Sequence, residues 1–188
     1  LYGPPSSGKS AIAYTSIAAM QQRDPESMAC IIDVERGANK DWLKKFGIDL
    51  DRVFIVQEPT IEECVNAFQQ CMRANAFDII VVDSLGAVIR GVDLDGKDGN
   101  GGDANTQQVG GSSRVITQWV NKANGELTKL DKEETLGAEV VKPVVMYINQ
   151  VRDVIGARFP IQAMPGGNAL HHMMGVIVKV SASNATAE

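Results

Sequence analysis

Residues Gly3-Pro4-Pro5-Ser6-Ser7-Gly8-Lys9-Ser10 carry the spacing G-x-x-x-x-G-K-[ST]. In that pattern the glycines let backbone N–H groups turn inward around phosphate oxygens, and the following helix presents its positive end to the same site. Lys9 would reach the β- and γ-phosphates of a nucleotide, and Ser10 would hold Mg2+ through its hydroxyl. The magnesium shell needs a further acid at a strand end. Asp83, closing the run Ile79-Ile-Val-Val-Asp and followed by Ser84, has that position, with its contact to the ion running through water. Glu35 ends Ile31-Ile-Asp-Val-Glu, where a carboxylate could orient and activate an attacking water as general base. Asp33 lies two residues earlier and competes for the role, and the residue pattern favours Glu35 only slightly.

These residues need a scaffold that brings strand ends together. Leu1-Tyr2 reads as the end of a strand entering the glycine-rich loop, and residues 11–22 are rich in Ala, Ile and Met at helical spacing, stopped by Asp24-Pro25. Short apolar runs at 28–34, 53–56, 78–83, 143–149 and 175–180 read as strands buried on both faces. Between them, residues 39–46 predict a short helix ending at Gly47. Residues 60–74 predict a helix with Thr60 as N-cap and Glu63 three residues on. Residues 112–132 predict a longer one, with Gly125 as a point of interruption. The segment 91–111 is rich in Gly, Asp and Asn and reads as a long mobile loop, and 152–167 as a second irregular one. Alternating strands and helices predict an α/β fold, a mainly parallel sheet with helices on both faces, whose ligands bind at the carboxyl ends of the strands. No internal repeat is visible.

A chain of 188 residues fits one domain. Its 44% hydrophobic and 22% charged residues and mean hydropathy of -0.08 are those of a soluble globular protein, and no apolar run approaches the roughly 20 residues that span a bilayer. No secretory leader pattern stands at the N-terminus, so a cytoplasmic location is expected. Cys30, Cys64 and Cys71 have no metal-ligand spacing and read as buried small hydrophobes. The net charge of -5 and pI of about 5.1 argue against a protein that coats nucleic acid by bulk attraction. Any DNA contact must then come from a local surface or from backbone amides. The sequence begins at Leu1, two residues before the loop, and is read as a piece of a longer chain.

With these residues in place, the chain resembles the RecA family, of bacterial or phage type. Its loop is similar to that family's G-P-E-S-S-G-K-T. Ile32-Asp-Val-Glu35 resembles the strand bearing the catalytic glutamate, and Ile79–Ser84 resembles the magnesium strand. Ile148-Asn-Gln-Val-Arg152 followed by Ile155-Gly156 resembles the strand and loop that sense ATP and contact DNA, and Gly166-Gly-Asn-Ala-Leu170 the motif closing that loop. The five motifs occur in the family's order over nearly the whole chain. The Asn-Gln and Gly-Gly-Asn-Ala-Leu pair separates RecA proteins from most other phosphate-loop ATPases.

The resemblance implies a RecA-like ATPase core over 1–188, lacking the family's N-terminal oligomerisation segment and C-terminal domain. It implies ATP binding by Gly3, Pro4, Pro5, Ser6, Ser7, Gly8, Lys9, Ser10, Asp83 and Gln150. Gln150 would contact the γ-phosphate, since an uncharged amide can donate to an anion without cancelling Lys9. Trp42 falls where the family stacks a tyrosine on adenine, although an indole anchoring the core would look the same in sequence. Residues 91–111 and 151–167 correspond to the two DNA-binding loops, with Arg114, Arg152, Phe159, Gly166, Gly167 and Asn168 at contact positions and Arg158 adding local charge. The implied activity is a DNA-dependent ATPase that filaments on single-stranded DNA, exchanges strands with duplex DNA, and serves recombination and repair. Another RecA-fold motor, such as a replicative helicase or a RadA-like branch-migration ATPase, is the alternative, as is a nucleotide-binding core with little activity of its own. Departures are a longer and more glycine-rich first loop, a longer stretch between Lys129 and Lys142, and His171-His172 near the family's subunit contact. Adjacent histidines diverge on a helix and make a poor metal pair.

Overall fold

The computed structural model describes residues 1–58, 60–87, 111–153, 162–163, 170 and 172–181. A four-stranded parallel sheet lies at its centre in the order β3-β2-β4-β5: β2 is Ala29–Asp33, β3 Val53–Val56, β4 Ile79–Asp83 and β5 Val144–Tyr147. The strand β1 (Tyr2–Gly3) runs parallel to β6 (Asn149–Gln150). Because β6 continues β5 through Ile148, whose N–H donates to the Val82 carbonyl at 3.0 Å, β1 adds a further parallel edge. The predicted final strand over 175–180 is reduced to a bridge between Tyr2 and Lys179, with Tyr2 N–H on Val178 O at 2.9 Å and Val180 N–H on Tyr2 O at 2.7 Å. Val176, Ile177 and Val178 are exposed, so burial does not extend the pairing.

Each side of the sheet is filled by every second strand residue, as a period of two requires. Ala29 and Ile31 of β2 and Ile79 and Val81 of β4 pack against Ala13, Tyr14, Ile17 and Ala18 of α1 (Lys9–Arg23) and Leu43 of α2 (Lys40–Lys45). Cys30, Ile32, Ile80 and Val82 pack against Phe68 and Met72 of α3 (Ile61–Arg73) and Ile116, Trp119 and Val120 of α4 (Gly111–Thr135). Helices therefore cover both faces, and β2 and β4 are buried along their whole length.

Local chemistry sets the helix ends. Thr60 and Glu63 form a capping box on α3. Asn39 Oδ1 accepts from the N–H groups of Asp41 and Trp42 to start α2, and Gly47 follows its end at φ 80. The α4 helix is not broken at Gly125. A helical glycine costs about 1 kcal/mol relative to alanine, and burial of Trp119, Ala123 and Leu130 on either side offsets it.

Of the two loops predicted at 91–111 and 151–167, the first lies outside the described residues except for residue 111, which begins α4. The second contains a short antiparallel pair, β7 (Arg152–Asp153) with β8 (Gln162–Ala163), and its residues 154–161 and 164–167 lie outside those described. All three cysteines are buried free thiols, with Cys30 and Cys71 Sγ atoms 3.5 Å apart. Among the described residues no helix is long and apolar enough to cross a membrane.

Candidate nucleotide site

The loop from Gly3 to Ser10 joins β1 to α1, with Gly8 at φ 92 as the N-cap residue, a backbone state that favours glycine. Ser6 is also left-handed, at φ 57. Gly3 is constrained by something the sequence did not reveal: a Cβ there would come within 2.0 Å of the Val180 carbonyl oxygen. The Val180 carbonyl thus obliges a glycine at this position. Lys9 is buried, and its Nζ donates to the carbonyls of Gly3 at 3.2 Å and Pro4 at 2.5 Å. Burial lowers its pKa, against the opposing pull of the Asp83 and Glu35 charges.

The parallel register sets Asp33 beside Asp83 at the carboxyl ends of β2 and β4. Their side chains have separate tasks. Asp33 Oδ1 accepts from the Gly37 N–H at 2.9 Å, and Oδ2 accepts from the Ala38 N–H at 2.8 Å and Gln57 Nε2 at 2.7 Å. That carboxylate anchors the turn after β2. Asp83 Oδ2 accepts from Ser10 Oγ at 2.7 Å and lies 3.5 Å from the Tyr14 hydroxyl. Burial raises the Asp83 pKa, the nearby Glu35 and Asp33 charges add to the rise, and the two hydroxyl bonds oppose it. A hydroxyl and a carboxylate this close are hard oxygen donors suited to Mg2+.

Glu35 is exposed at the end of the same turn, and its Oε1 accepts from Ser84 Oγ at 2.8 Å and Gln150 Nε2 at 3.2 Å. Three strand ends, those of β2, β4 and β6, thereby converge on one carboxylate open to water. Asp33 and Glu35 thus differ in surroundings: Asp33 is buried and bonded to its own turn and to Gln57, whereas Glu35 is exposed and bonded to Ser84 and Gln150. Trp42 is 40% exposed and meets Tyr14 edge-on at 5.3 Å between ring centroids and Phe46 at 5.2 Å. It is thus packed on one side and open on the other.

Arg114 lies in the first turn of α4 and Arg152 in β7, without described side chains, so neither is brought to the site by an observed contact. Phe159, Gly166, Gly167, Asn168, Arg158 and His171 lie outside the described residues; His172 is exposed. Among the described residues no group of three or more His, Cys, Asp or Glu side chains could hold a metal ion. Sequence reasoning missed three contributors: Tyr14, Ser84 as a partner of Glu35, and Gln57 as a partner of Asp33. Tyr14 had a signal in its spacing, four residues after Ser10 on one helix face. Gln57 had none, because its role depends on the β2–β3 register.

A family described as "RecA N-terminal domain" matches residues 1–188. Among curated proteins, the chain is 32% identical over 171 residues to Protein RecA of Rhodopirellula baltica, covering 90% of this chain and 40% of that protein. It is 29% identical over 181 residues to Protein RecA of Bacillus subtilis, covering 96% and 47%, and 30% identical over 181 residues to Protein RecA of Clostridium tetani, covering 96% and 46%. The chain spans less than half the length of these relatives.

Proposed function

Because this chain belongs to the RecA family, we propose that it is the ATP-binding and ATP-hydrolysing core of a DNA recombination and repair protein. The observation that carries this reading is the convergence at the strand ends: Ser84 and Gln150 both donate to Glu35, while Ser10 donates to Asp83 in the next strand. In the reading, the N–H groups of loop 3–10 and the Lys9 ammonium bind the phosphates, Pro4 and Pro5 lack an N–H and shape the turn through their backbone, and Ser10 and Asp83 hold Mg2+. The ion, when bound, neutralises charge on the phosphate oxygens. Glu35 accepts the proton of a water attacking the γ-phosphorus, with its carboxylate aimed by Ser84. Such catalysis is positioning and electrostatic stabilisation. Trp42 offers its open face to the base.

Gln150 gives a route from nucleotide to DNA. Its amide bonds Glu35 in this structure, and turning that donor to a γ-phosphate would move the start of the chain leading to Arg152. DNA contacts are proposed at Arg114, Arg152, Phe159, Gly166, Gly167 and Asn168, within or beside loops 91–111 and 151–167. Glycine amides there supply anion binding without net positive charge, which meets the constraint of an acidic pI. The whole protein is proposed to assemble as a filament on single-stranded DNA, to exchange strands with duplex DNA, and to work in the cytoplasm.

The test is phosphate release from ATP by this chain and by its full-length parent, with and without single-stranded DNA, beside Lys9→Ala. Hydrolysis stimulated by DNA and abolished in Lys9→Ala is expected. Hydrolysis that ignores DNA in the full-length protein would overturn the recombinase reading, and hydrolysis that survives Lys9→Ala would overturn the site.

A further inference from the structure

We infer that Tyr14 is a positioning residue for the magnesium carboxylate, a role that rests on the reading of Ser10 and Asp83 as the magnesium residues. Ser10 and Tyr14 are four residues apart on α1, so they share a helix face and point at the same strand end. Both hydroxyls converge on a single oxygen, Asp83 Oδ2, at 2.7 Å and 3.5 Å. One donor leaves a carboxylate able to swing about its Cβ–Cγ bond; two donors on one oxygen fix its plane. The Tyr14 contact is long for O–H···O, and a shift of less than about 1 Å brings it into the usual range of roughly 2.5–3.0 Å.

The rest of the side chain is built to stay in place. Tyr14 is 1% exposed, and its ring is held edge-on by Trp42 at 5.3 Å and Phe46 at 5.8 Å, with Ile17 and Ile31 in the same cluster. A leucine or phenylalanine would fill that pocket without desolvating a hydroxyl, so packing alone does not account for the oxygen. The hydroxyl stays on Asp83 when Ser10 is engaged with the ion. The carboxylate then keeps a second anchor at the moment its orientation matters. Through Trp42, the same ring also abuts the surface proposed to receive the base. Oxygen and ring are thus separable in experiment.

The measurement is equilibrium binding of a fluorescent ADP analogue titrated with MgCl2, on the unaltered chain, Tyr14→Phe and Ser10→Ala. The half-maximal MgCl2 concentration in Tyr14→Phe is expected to rise about threefold to tenfold, the range for one ordinary lost hydrogen bond, because the 3.5 Å contact is too long for the stronger class made to a charged acceptor. Affinity in EDTA and the urea midpoint stay near those of the unaltered chain, because the ring remains. An unchanged magnesium midpoint in Tyr14→Phe, with magnesium dependence abolished in Ser10→Ala, overturns the positioning role and leaves the magnesium site standing. Absence of magnesium dependence in the unaltered chain overturns both. If Tyr14→Phe weakens binding equally in EDTA and in saturating MgCl2, the residue serves the base pocket and the inference fails.

Discussion

On the α1 side of the sheet the strands end in Asp33 and Asp83, and Ser10 and Tyr14 reach Asp83 from the helix. On the opposite side the same strands lie against Phe68 and Trp119, with ring centroids 5.8 Å apart, and Tyr147 of β5 stands 6.3 Å from Phe68. Small residues, Ala13 and Ala18, let α1 sit close to the sheet, so hydroxyls reach strand carboxylates. Bulky aromatics hold α3 and α4 in place by contact. Among the described residues, Asp33 and Asp83 side chains accept five hydrogen bonds between them, whereas Trp119 Nε1 and Tyr147 Oη on the other side, and Ser7 Oγ in the loop, are buried without a partner. The proposed chemistry thus lies on one side of the sheet and the aromatic packing on the other, and substitutions should separate the two.

Glu35→Gln gives the largest expected effect. Removing the proposed general base while keeping the side chain's length should lower ATP hydrolysis by about two to four orders of magnitude. Nucleotide affinity stays close to that of the unaltered chain. Single-turnover phosphate release and fluorescent-nucleotide titration read the two quantities separately, and an equal loss of both would make Glu35 a structural residue. Phe68→Ala probes the other side. Truncating a buried phenylalanine costs about 3–5 kcal/mol, visible as a lower urea midpoint. The folded fraction should bind nucleotide as before; a weaker affinity of the folded protein itself would show that the two faces are coupled. Asp33→Asn lies between these cases. It retains an oxygen for one backbone N–H but places an amide against the other donors, at a cost of about 1–3 kcal/mol, with hydrolysis falling as the turn carrying Glu35 loosens.

The division was only partly legible in the sequence. The glycine spacing of 3–10 and the continuous apolar runs ending in Asp33 and Asp83 are local patterns, and local patterns survive in a one-dimensional reading. So did the Thr60–Glu63 box, which depends on three-residue spacing alone. What escaped depends on register and on neighbours far along the chain. The residue pattern alone favours Glu35 over Asp33 only slightly, because the partners that distinguish them, Gln57, Gly37 and Ala38 around Asp33 and Ser84 and Gln150 around Glu35, are set by the fold. Gly3 reads as a phosphate glycine from its spacing, and nothing local says that the Val180 carbonyl also closes in on it. Hydrophobicity alone misleads at the final strand: Val176, Ile177 and Val178 have the composition of a buried strand, yet they are exposed.

Two carboxylates, one on each side, should respond to pH with opposite sign. Glu126 on α4 has a buried side chain held by Arg73 of α3 at 2.5 Å and by Lys129 at 3.1 Å. The Arg73 hydrogen bond lowers its pKa, against the effect of burial. The folded state therefore favours its charged form, and the stabilisation is present above the unfolded value of roughly 4.3 and lost as pH falls through the lower folded one. Asp83 is the reverse: burial raises its pKa, so the folded state favours the protonated acid, and the contribution present below roughly 3.9 is lost as pH rises through the folded value. At neutral pH Glu126→Gln should lower stability, by about 1 kcal/mol because both cations are largely exposed and screened. Asp83→Asn should raise it by relieving a desolvated charge while impairing magnesium-dependent nucleotide binding. Urea melts of the two variants at pH 7 and pH 4 check the signs. A loss at pH 7 in both would mean that Asp83 is held as firmly as Glu126, and the contrast between a face built for chemistry and one built for stability would not extend to these acids.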